Sequence, residues 1–297
     1  MVFPGTQTLP LFAAQSLGLF ERCGLSIELK YAPNSEEQRR GLAEGRYPIV
    51  HGAADQAVAM VEDMKVDAVI VAGGDNGFNR LFVQPEIATL ADLRGRTMAV
   101  DVAGTGWSFV AYDMLKRAGL HHGDYGVKEV GAPFRRFEAM RDDKTMAAAI
   151  LNPPFAIRAR RAGLKDMGPV TDVIGPYLGQ VPYVLRSWAA ANEPTLVAYL
   201  AAAIGGLRWV LDPVNKAAAI RLATERLNLP EDIAAETYAA AADPAQGLVR
   251  DAAFDVDGFR TTLRLRAEFT GRTLAAPENY FDLSYWRLAV ERAGADS

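Results

Sequence analysis

Cysteine and histidine, which commonly build disulfides, metal sites and nucleophilic centres, are scarce in this sequence. One of the 297 residues is a cysteine, Cys23, which excludes an internal disulfide and any cysteine-based metal cluster. The three histidines, His51, His121 and His122, do not form the His-Glu-x-x-His pattern of zinc hydrolases. The sequence therefore predicts neither a bound metal nor a cofactor.

Excess basic charge and long hydrophobic runs are also lacking. The net charge is -4 and the isoelectric point is near 5.5, so no basic field exists and we expect no nucleic-acid partner. No apolar run reaches the ~18 residues that a membrane span needs. Residues 196–211 come nearest, but Arg208 and the glycines within them predict a buried core helix instead.

The first residues leave the cellular compartment open. Val2-Phe3-Pro4 has the pattern of a strand end, and no signal peptide precedes it. Either the chain is cytoplasmic, or a leader lies outside this numbering. The sequence by itself does not choose between these interpretations.

Length and hydrophobic pattern predict two α/β units and a helical tail. A chain of 297 residues is too long for one ordinary core, and two domains of ~100–150 residues each are expected. Residues 1–83 read as βαβαβ, and a second strand–helix series follows from residue 97, which predicts mainly parallel sheets covered by helices. Beyond residue 186 the pattern is helical only, so we expect the tail to wrap back over the first domain.

Residues 93–120 are the segment around which the rest is organised. Residues 97–102 have the composition of a buried strand, Ala103-Gly104-Thr105-Gly106 is a small-residue turn, and apolar residues then recur at helical spacing as far as Gly119. A strand, a tight loop and a helix in this order leave free backbone N–H groups at the positive end of the helix. With Trp107 at its edge, this cup of amides is expected to form half of a small-molecule cleft.

Several short motifs resemble those of solute-binding proteins of nitrate/sulfonate/taurine-type ABC importers, a group that includes the thiamine-precursor binders. The segment Ala91-Asp92-Leu93-Arg94-Gly95-Arg96-Thr97-Met98-Ala99-Val100 is similar to their A-D-L-K-G-K-x-V-A-V element. Weaker similarities lie at residues 18–20 with 24–28, at residues 41–45 with 49–52, and at residues 152–155. The resemblance extends over about residues 4–211.

The resemblance implies a two-lobed, periplasmic-binding-protein type II architecture. Each lobe would have a mixed, mainly parallel sheet flanked by helices, and a helical C-terminal tail would follow. Residues 1–81 with 185–297 would form lobe one and residues 82–184 lobe two, with chain crossings near residues 82–85 and 182–186. The ligand would bind in the cleft between the lobes.

Two positions depart from the family pattern. The W-E-P-F tetrapeptide is Asn152-Pro153-Pro154-Phe155 here, and the aspartate of the G-x-x-D segment is replaced by Pro48. The first change bears on the ligand, because that tetrapeptide commonly faces the cleft. The second is expected to be structural.

Candidate ligand-binding residues lie in loops at the carboxyl ends of the predicted strands, where open α/β sheets bind ligands. Main-chain amides and a hydroxyl of the amide cup suit an acidic group, aromatic side chains suit a ring, and Arg80 or Arg135-Arg136 would suit an acid. A capped turn with a core tryptophan is the alternative for the cup, and a structural role is the alternative for the histidine. The predicted set is Phe3, Thr6, Gln7, His51, Ala54, Asp75, Asn76, Thr105, Gly106, Trp107, Asn152, Phe155 and Tyr183.

The sequence thus predicts a substrate-binding protein of an ABC import system rather than an enzyme. By the resemblance it is periplasmic or extracytoplasmic, and its partners are a small-molecule ligand and a membrane permease. The solute is expected to contain a ring and to be of sulfonate, carboxylate or pyrimidine type, and the protein is expected to be a monomer. One alternative is an enzyme on the same fold, desulfinase-like or thiamine-pyrimidine-synthase-like, with His51 as acid/base. Another is the ligand-sensing domain of a larger regulator.

Overall fold

Strands and helices alternate along the first 185 residues, and helices alone make up the rest. The computed structural model describes residues 1–295, so the element bounds below refer to that range. The strands are β1 (Val50–Ala53), β2 (Ala68–Ile70), β3 (Arg80–Val83), β4 (Thr97–Val100), β5 (Gly126–Glu129), β6 (Met146–Leu151), β7 (Lys165–Pro169) and β8 (Gln180–Leu185). They form two sheets flanked by helices, which confirms the predicted fold class.

Helices cover both sheets and build the C-terminal region. The helices within the sheet-forming part of the chain are α1 (Leu9–Ser16), α2 (Leu19–Arg22), α3 (Ser35–Ala43), α4 (Ala54–Glu62), α5 (Gly106–Arg117), α6 (Pro133–Asp142), α7 (Phe155–Arg161) and α8 (Thr171–Ile174). The later helices are α9 (Arg186–Ala191), α10 (Glu193–Leu211), α11 (Lys216–Leu227), α12 (Glu231–Ala241), α13 (Val256–Thr270) and α14 (Ser284–Ala295).

The first sheet has the strand order β1-β8-β2, and β8 is antiparallel to both neighbours. The predicted parallel pairing of the first strands is therefore wrong. Strands β1 and β2 do point the same way and are joined through α4, as a βαβ unit requires. The facing backbone N–H and C=O groups of β1 and β2, however, bond to β8, which begins some 110 residues after β2 ends. No local sequence pattern predicts this pairing.

The second sheet has the order β5-β4-β6-β3-β7. Its centre is parallel, because β4 pairs in parallel with both β5 and β6, while β3 is antiparallel to β6 and β7. The glycines and prolines of residues 168–182 predict irregular chain from residue 168, whereas residues 165–169 form strand β7. Its residues are partly or fully exposed and lack the apolar pattern of a core strand, so its pairing with β3 leaves no sequence signal.

Two connections join the sheets, residues 71–79 between β2 and β3 and residues 175–179 between α8 and β8. The crossings expected at residues 82–85 and 182–186 are displaced, because Phe82 pairs within β3 and Pro182 within β8. The division into two lobes at residues 81 and 185 stays a prediction.

Helix α10 runs through the middle of the C-terminal region. Ten of its residues are buried, and it packs with α1 and α14 in one apolar cluster that includes Leu11, Leu200 and Ala289. By length and composition it is the one helix of residues 1–295 that could span a membrane, but 61% of its apolar window is buried inside the protein. This agrees with the predicted core helix.

Candidate functional site

A narrow cavity lies where the loops of the two sheets meet, and we call it the central cavity. Its walls include five of the predicted residues, which are Phe3, Gln7, Asp75, Trp107 and Asn152. They come from the first turn of the chain, from the connection after β2, from the start of α5 and from the end of β6. Loops that are far apart in sequence therefore converge on one site, as the positions of the predicted strand ends require.

Hydrogen bonds cross the central cavity at the end of β6. The Asn152 Nδ2 group donates to Gln7 Oε1 over 3.1 Å. Beside it, Thr6 donates to the Pro153 carbonyl oxygen from its hydroxyl, at 3.0 Å, and from its backbone N–H, at 3.3 Å. Asn152 stands where the resembled family has tryptophan, and here it ties the loop before α1 to the second sheet.

A second set of hydrogen bonds crosses the cavity at the end of β4. Asp101 Oδ2 accepts from the backbone N–H of Ser35 at 3.2 Å and from the Ser35 hydroxyl. The segment Ser35-Glu36-Glu37-Gln38 has the pattern of a capping box with Ser35 as the cap, but α3 is capped by Asn34, whose Oδ1 accepts from the Glu37 N–H at 2.8 Å. The Ser35 hydroxyl is thus free to bind the other sheet, which is the physical reason for the difference.

The amide cup at the start of α5 does form, but it does not face the central cavity. Thr105 is the N-cap residue, and its hydroxyl donates to the Val102 carbonyl oxygen at 2.9 Å. A Cβ atom added to Gly106 would lie 2.7 Å from Asp55 Cβ, so the beginning of the helix packs against α4. Gly106 therefore faces a buried carboxylate of the protein itself, which suits the positive end of a helix.

Trp107 is the residue of the cup that reaches the central cavity. Its indole is partly buried and lies against the ring of Tyr177, with ring centroids 4.9 Å apart and the planes tilted by 47°. The Trp107 side chain is therefore neither fully buried in the core nor fully exposed. One face packs on the protein while the side chain lines the cavity, which is the geometry of a stacking residue.

Asp75 lies in the first connection between the sheets, and its side chain hydrogen-bonds to the chain at the end of the second. Its Oδ1 accepts from the Gly77 N–H at 2.8 Å and its Oδ2 from the Gln180 N–H at 3.0 Å. A side chain at Gly179 would place its Cβ 1.8 Å from Asp75 Oδ1, so only glycine fits there. Burial raises the pKa of Asp75 to about 6, and the two backbone hydrogen bonds only partly oppose that effect.

Replacing Asp75 by asparagine is expected to remove a pH dependence of stability. The folded pKa of about 6 lies above the ordinary value of 3.8. The stabilising contribution of Asp75 is therefore complete below about pH 4 and is lost as the pH rises through about 6. Urea unfolding at about pH 5 and about pH 7.5 should show the wild type losing free energy of unfolding relative to the non-titrating variant. An identical difference at both pH values would contradict this assignment.

Two charged residues of the central cavity stand out that the predicted set does not contain, Asp101 and Arg136. Arg136 is 3% exposed, and it donates to the main-chain oxygens of Ile150 at 3.1 Å and Gly131 at 3.0 Å. Burial lowers the pKa of its guanidinium, and the nearby Asp101 opposes that shift. Asp101 directly follows β4, whereas the predicted strand at residues 97–102 includes it, and a carboxylate within this otherwise apolar run is the sequence signal that could have identified it.

His51 lies beside the central cavity rather than in it. Its Nε2 is 2.8 Å from the Tyr199 hydroxyl, and it lines an adjacent apolar cavity that includes Leu200 and Ile204. Burial, helped slightly by the amino terminus, lowers the pKa of His51 to about 3, so the imidazole is neutral at physiological pH. The structural alternative fits this environment better than direct contact with a ligand.

The remaining predicted residues do not line the central cavity, because their polar or aromatic groups are engaged elsewhere. Tyr183 donates its hydroxyl to Gln38 Oε1 at 2.9 Å inside the core, and Phe155 packs in the core of the second sheet. The Ala54 N–H is bonded to the Gly179 carbonyl, and Asn76 bonds to the loop at residues 245–247. Within residues 1–295, no group of three His, Cys, Asp or Glu side chains could hold a metal ion.

The geometry can be compared with that of known proteins. Residues 14–169, more than half of the chain, match a family model described as "ABC transporter, phosphonate, periplasmic substrate-binding protein". Comparison with curated proteins by sequence gives no match.

Solved structures extend the likeness over nearly the whole chain. The periplasmic nitrate-binding protein of Synechocystis PCC 6803 has a TM-score of 0.81 at 13% identity, over 98% of this chain and 87% of that one. The alkanesulfonate-binding protein of Xanthomonas axonopodis pv. citri, bound to MOPS, has a TM-score of 0.75 at 16% identity, over 93% and 94%. The desulfurization enzyme DszB has 0.68 at 13%, over 98% of each chain. Identities this low show the fold alone, which is the predicted periplasmic-binding-protein type II architecture.

The match of more than half the sequence to the family model, on a fold shared with nitrate- and alkanesulfonate-binding proteins, confirms the predicted resemblance. This chain belongs to the family of periplasmic substrate-binding proteins of phosphonate-type ABC transporters.

Proposed function

We propose that this protein binds a small, ring-containing organic solute in the central cavity and delivers it to the membrane permease of an ABC importer. Its family supplies the substrate-binding components of such importers, which act in the periplasm or outside the cytoplasm. Sulfonates, carboxylates and pyrimidine-type compounds are the solute classes from which we start. We further propose that the protein acts as a monomer and releases its solute chemically unchanged.

The observation that carries this proposal is the convergence of both sheets on one cavity with aromatic walls. Gln7 with Asn152, and Ser35 with Asp101, hydrogen-bond across it, so polar contacts join the loops of the two sheets at this point. Contacts of this kind are easily exchanged with a solute when the halves open and close, which is the hinge movement of binding proteins. The tryptophan beside them offers a ring a stacking surface.

The enzyme alternative receives no support from the one residue on which it depends. An acid/base histidine needs a pKa near the working pH, whereas burial lowers the pKa of His51 to about 3. Its Nε2 is also engaged with the Tyr199 hydroxyl at 2.8 Å. The likeness to DszB is one of fold at 13% identity and brings no reacting group with it.

Replacing Trp107 by alanine is expected to weaken solute binding by about tenfold or more, because an aromatic stacking residue is removed from the centre of the site. Ring-bearing sulfonates, carboxylates and pyrimidines would be screened by thermal shift, since a ligand that binds only the folded state raises the melting temperature. Trp209→Ala is the matched control, because Trp209 packs in a helical cluster and does not line the central cavity. Equal solute-induced shifts in the wild type and in Trp107→Ala would contradict the proposal.

A further inference from the structure

Three side-chain oxygens buried at the central cavity are without a hydrogen-bond partner among residues 1–295. They are Asp101 Oδ1, Asn152 Oδ1 and Gln180 Oε1, and all three residues line the cavity. Asp101 is 7% exposed and Asn152 is 3% exposed, so water has little access to compensate. A buried acceptor without a donor is costly, by about 1–3 kcal/mol each, and native proteins seldom keep several together without a reason.

The Asp101 carboxylate shows which kind of hydrogen-bonding group the three oxygens require. An amide can turn over and present its nitrogen in place of its oxygen, so Gln180 accommodates either a donor or an acceptor, whereas Asn152 keeps its oxygen as the open acceptor because its Nδ2 donates to Gln7 Oε1. A carboxylate only accepts, and the Oδ2 atom of Asp101 already accepts from Ser35 while Oδ1 does not accept from any described group. The group that completes the site therefore carries hydrogen-bond donors.

The charges around the central cavity favour a cationic donor. Among the described residues that line it, the ionisable side chains are Asp75, Asp101 and Arg136, which leave one negative charge in excess above about pH 6, where Asp75 is ionised. Arg136 gives its Nε and Nη1 donors to the main-chain oxygens of Ile150 and Gly131, and its positive charge is offset by the nearby Asp101. An acidic solute would add a second uncompensated negative charge to a buried site, which is unfavourable.

The remaining walls are aromatic and suit a ring that carries such a cation once the two sheets move apart, because the cavity has a volume of about 30 Å³ in this structure. Phe3 and Phe78 are each 6% exposed, and with the partly buried Trp107 they place three aromatic side chains around the same space. Aromatic faces attract ammonium groups as well as rings, and the attraction is stronger where water is excluded. Hydrogen-bond acceptors, excess negative charge and aromatic walls thus point to the same chemistry.

We propose that the solute of the central cavity is a ring-bearing amine whose ammonium group donates to Asp101 Oδ1 and to the amide oxygens of Asn152 and Gln180. This rests on the proposed function, because it assigns the solute class of that same cavity. An amine differs from the sulfonate and carboxylate solutes that the sequence resemblance suggests.

Three probes of nearly equal size separate the possibilities: benzylamine as the cation, benzyl alcohol as the neutral compound and benzoate as the anion. Titration calorimetry on the wild type is expected to show benzylamine binding at least about tenfold more tightly than the other two, since one charge-assisted hydrogen bond contributes about that factor. Asp101→Asn should lower the affinity for benzylamine by about tenfold and leave that for benzoate unchanged or higher.

Ser35→Ala is the matched control for this variant. It removes the hydroxyl that binds Asp101 Oδ2 but leaves Oδ1 in place. If Asp101 only fastens the two halves, both variants will lower the affinities of all three probes by the same factor, and the inference is overturned. Tighter binding of benzoate than of benzylamine by the wild type overturns it as well, while leaving the proposed function standing. Absence of binding by every probe also overturns the inference. The thermal-shift screen with Trp107→Ala then tests the proposed function independently.

Discussion

Replacing Arg266 by alanine is expected to lower the free energy of unfolding by about 3–5 kcal/mol, because the change leaves a buried carboxylate without its partner. Arg266 is 1% exposed and Asp55 is fully buried at 0%. The Nη1 atom of Arg266 lies 2.9 Å and 3.0 Å from the two carboxylate oxygens of Asp55, and Nη2 contacts the Asp63 carboxylate. The pair joins α13 to α4 directly beside the start of α5.

The pH dependence of the Arg266→Ala variant tests the electrostatic origin of this loss. Burial raises the pKa of Asp55, and the Arg266 guanidinium is the main influence that lowers it. Without that guanidinium, the folded pKa rises further above the unfolded value, so the folded state binds a proton that the unfolded state does not. The variant should therefore regain stability as the pH falls from about 8 to about 5.

A double variant provides the control. Asp55→Leu combined with Arg266→Met removes both charges while keeping apolar volume, and such exchanges of buried ion pairs are often close to neutral. Urea unfolding at a fixed pH should therefore place the double variant well above Arg266→Ala in free energy of unfolding. If the two variants are equally destabilised, then lost packing rather than the unpaired carboxylate is responsible.

Replacing Gly206 by alanine is expected to destabilise the protein by about 1–3 kcal/mol, because the added methyl group overfills the contact of α10 with α1. A Cβ atom on Gly206 would lie 2.0 Å from the Pro10 carbonyl oxygen and 2.8 Å from the Ala14 backbone nitrogen. Both are backbone atoms of a buried helix and cannot move aside. The two helices would have to separate, and the apolar cluster that they share would lose contact.

The neighbouring residue supplies the matched control. A Cβ atom on Gly205 would meet only the Leu19 Cδ1 atom, at 3.0 Å, and the end of a leucine side chain can turn away. Gly205→Ala should therefore be neutral or stabilise by up to about 1 kcal/mol, since alanine favours the helix over glycine. Opposite effects of one methyl group at adjacent positions, measured by thermal and urea unfolding, are the expected result. Similar destabilisation by both would show that the backbone contact does not limit the packing.

The elements with strong local patterns could be predicted from the sequence. Strand β4 and helix α5 lie within two residues of the strand at residues 97–102 and of the helix ending before Gly119 that the sequence predicts, and the region beyond residue 186 is helical as expected. Strand β7 could not be predicted, because its exposed residues carry no periodicity and its hydrogen bonds come from β3. The position of β8 between β1 and β2 was also not predicted, because this antiparallel pairing joins segments that are far apart in the sequence.

The candidate site was predictable where it depended on strand ends and less so where it depended on side-chain direction. Gln7, Trp107 and Asn152 follow from the rule that ligands bind at carboxyl strand ends, and all three line the central cavity. Thr105 satisfies the same rule, but the beginning of α5 is turned toward α4. Arg136 is on a helix whose pattern does not reveal that this side chain, and not that of its neighbour, points inward.

By itself, the sequence determined the α/β class, the helical tail and the family, since these depend on composition, local period and short motifs. Only the tertiary structure decided which groups share the central cavity and which are already paired. Asp55 finds its cation 211 residues away, and Asn152 meets Gln7 across 145 residues. Such pairings are set by how whole sheets and helices pack together, and packing is a property of the folded chain that no local segment carries.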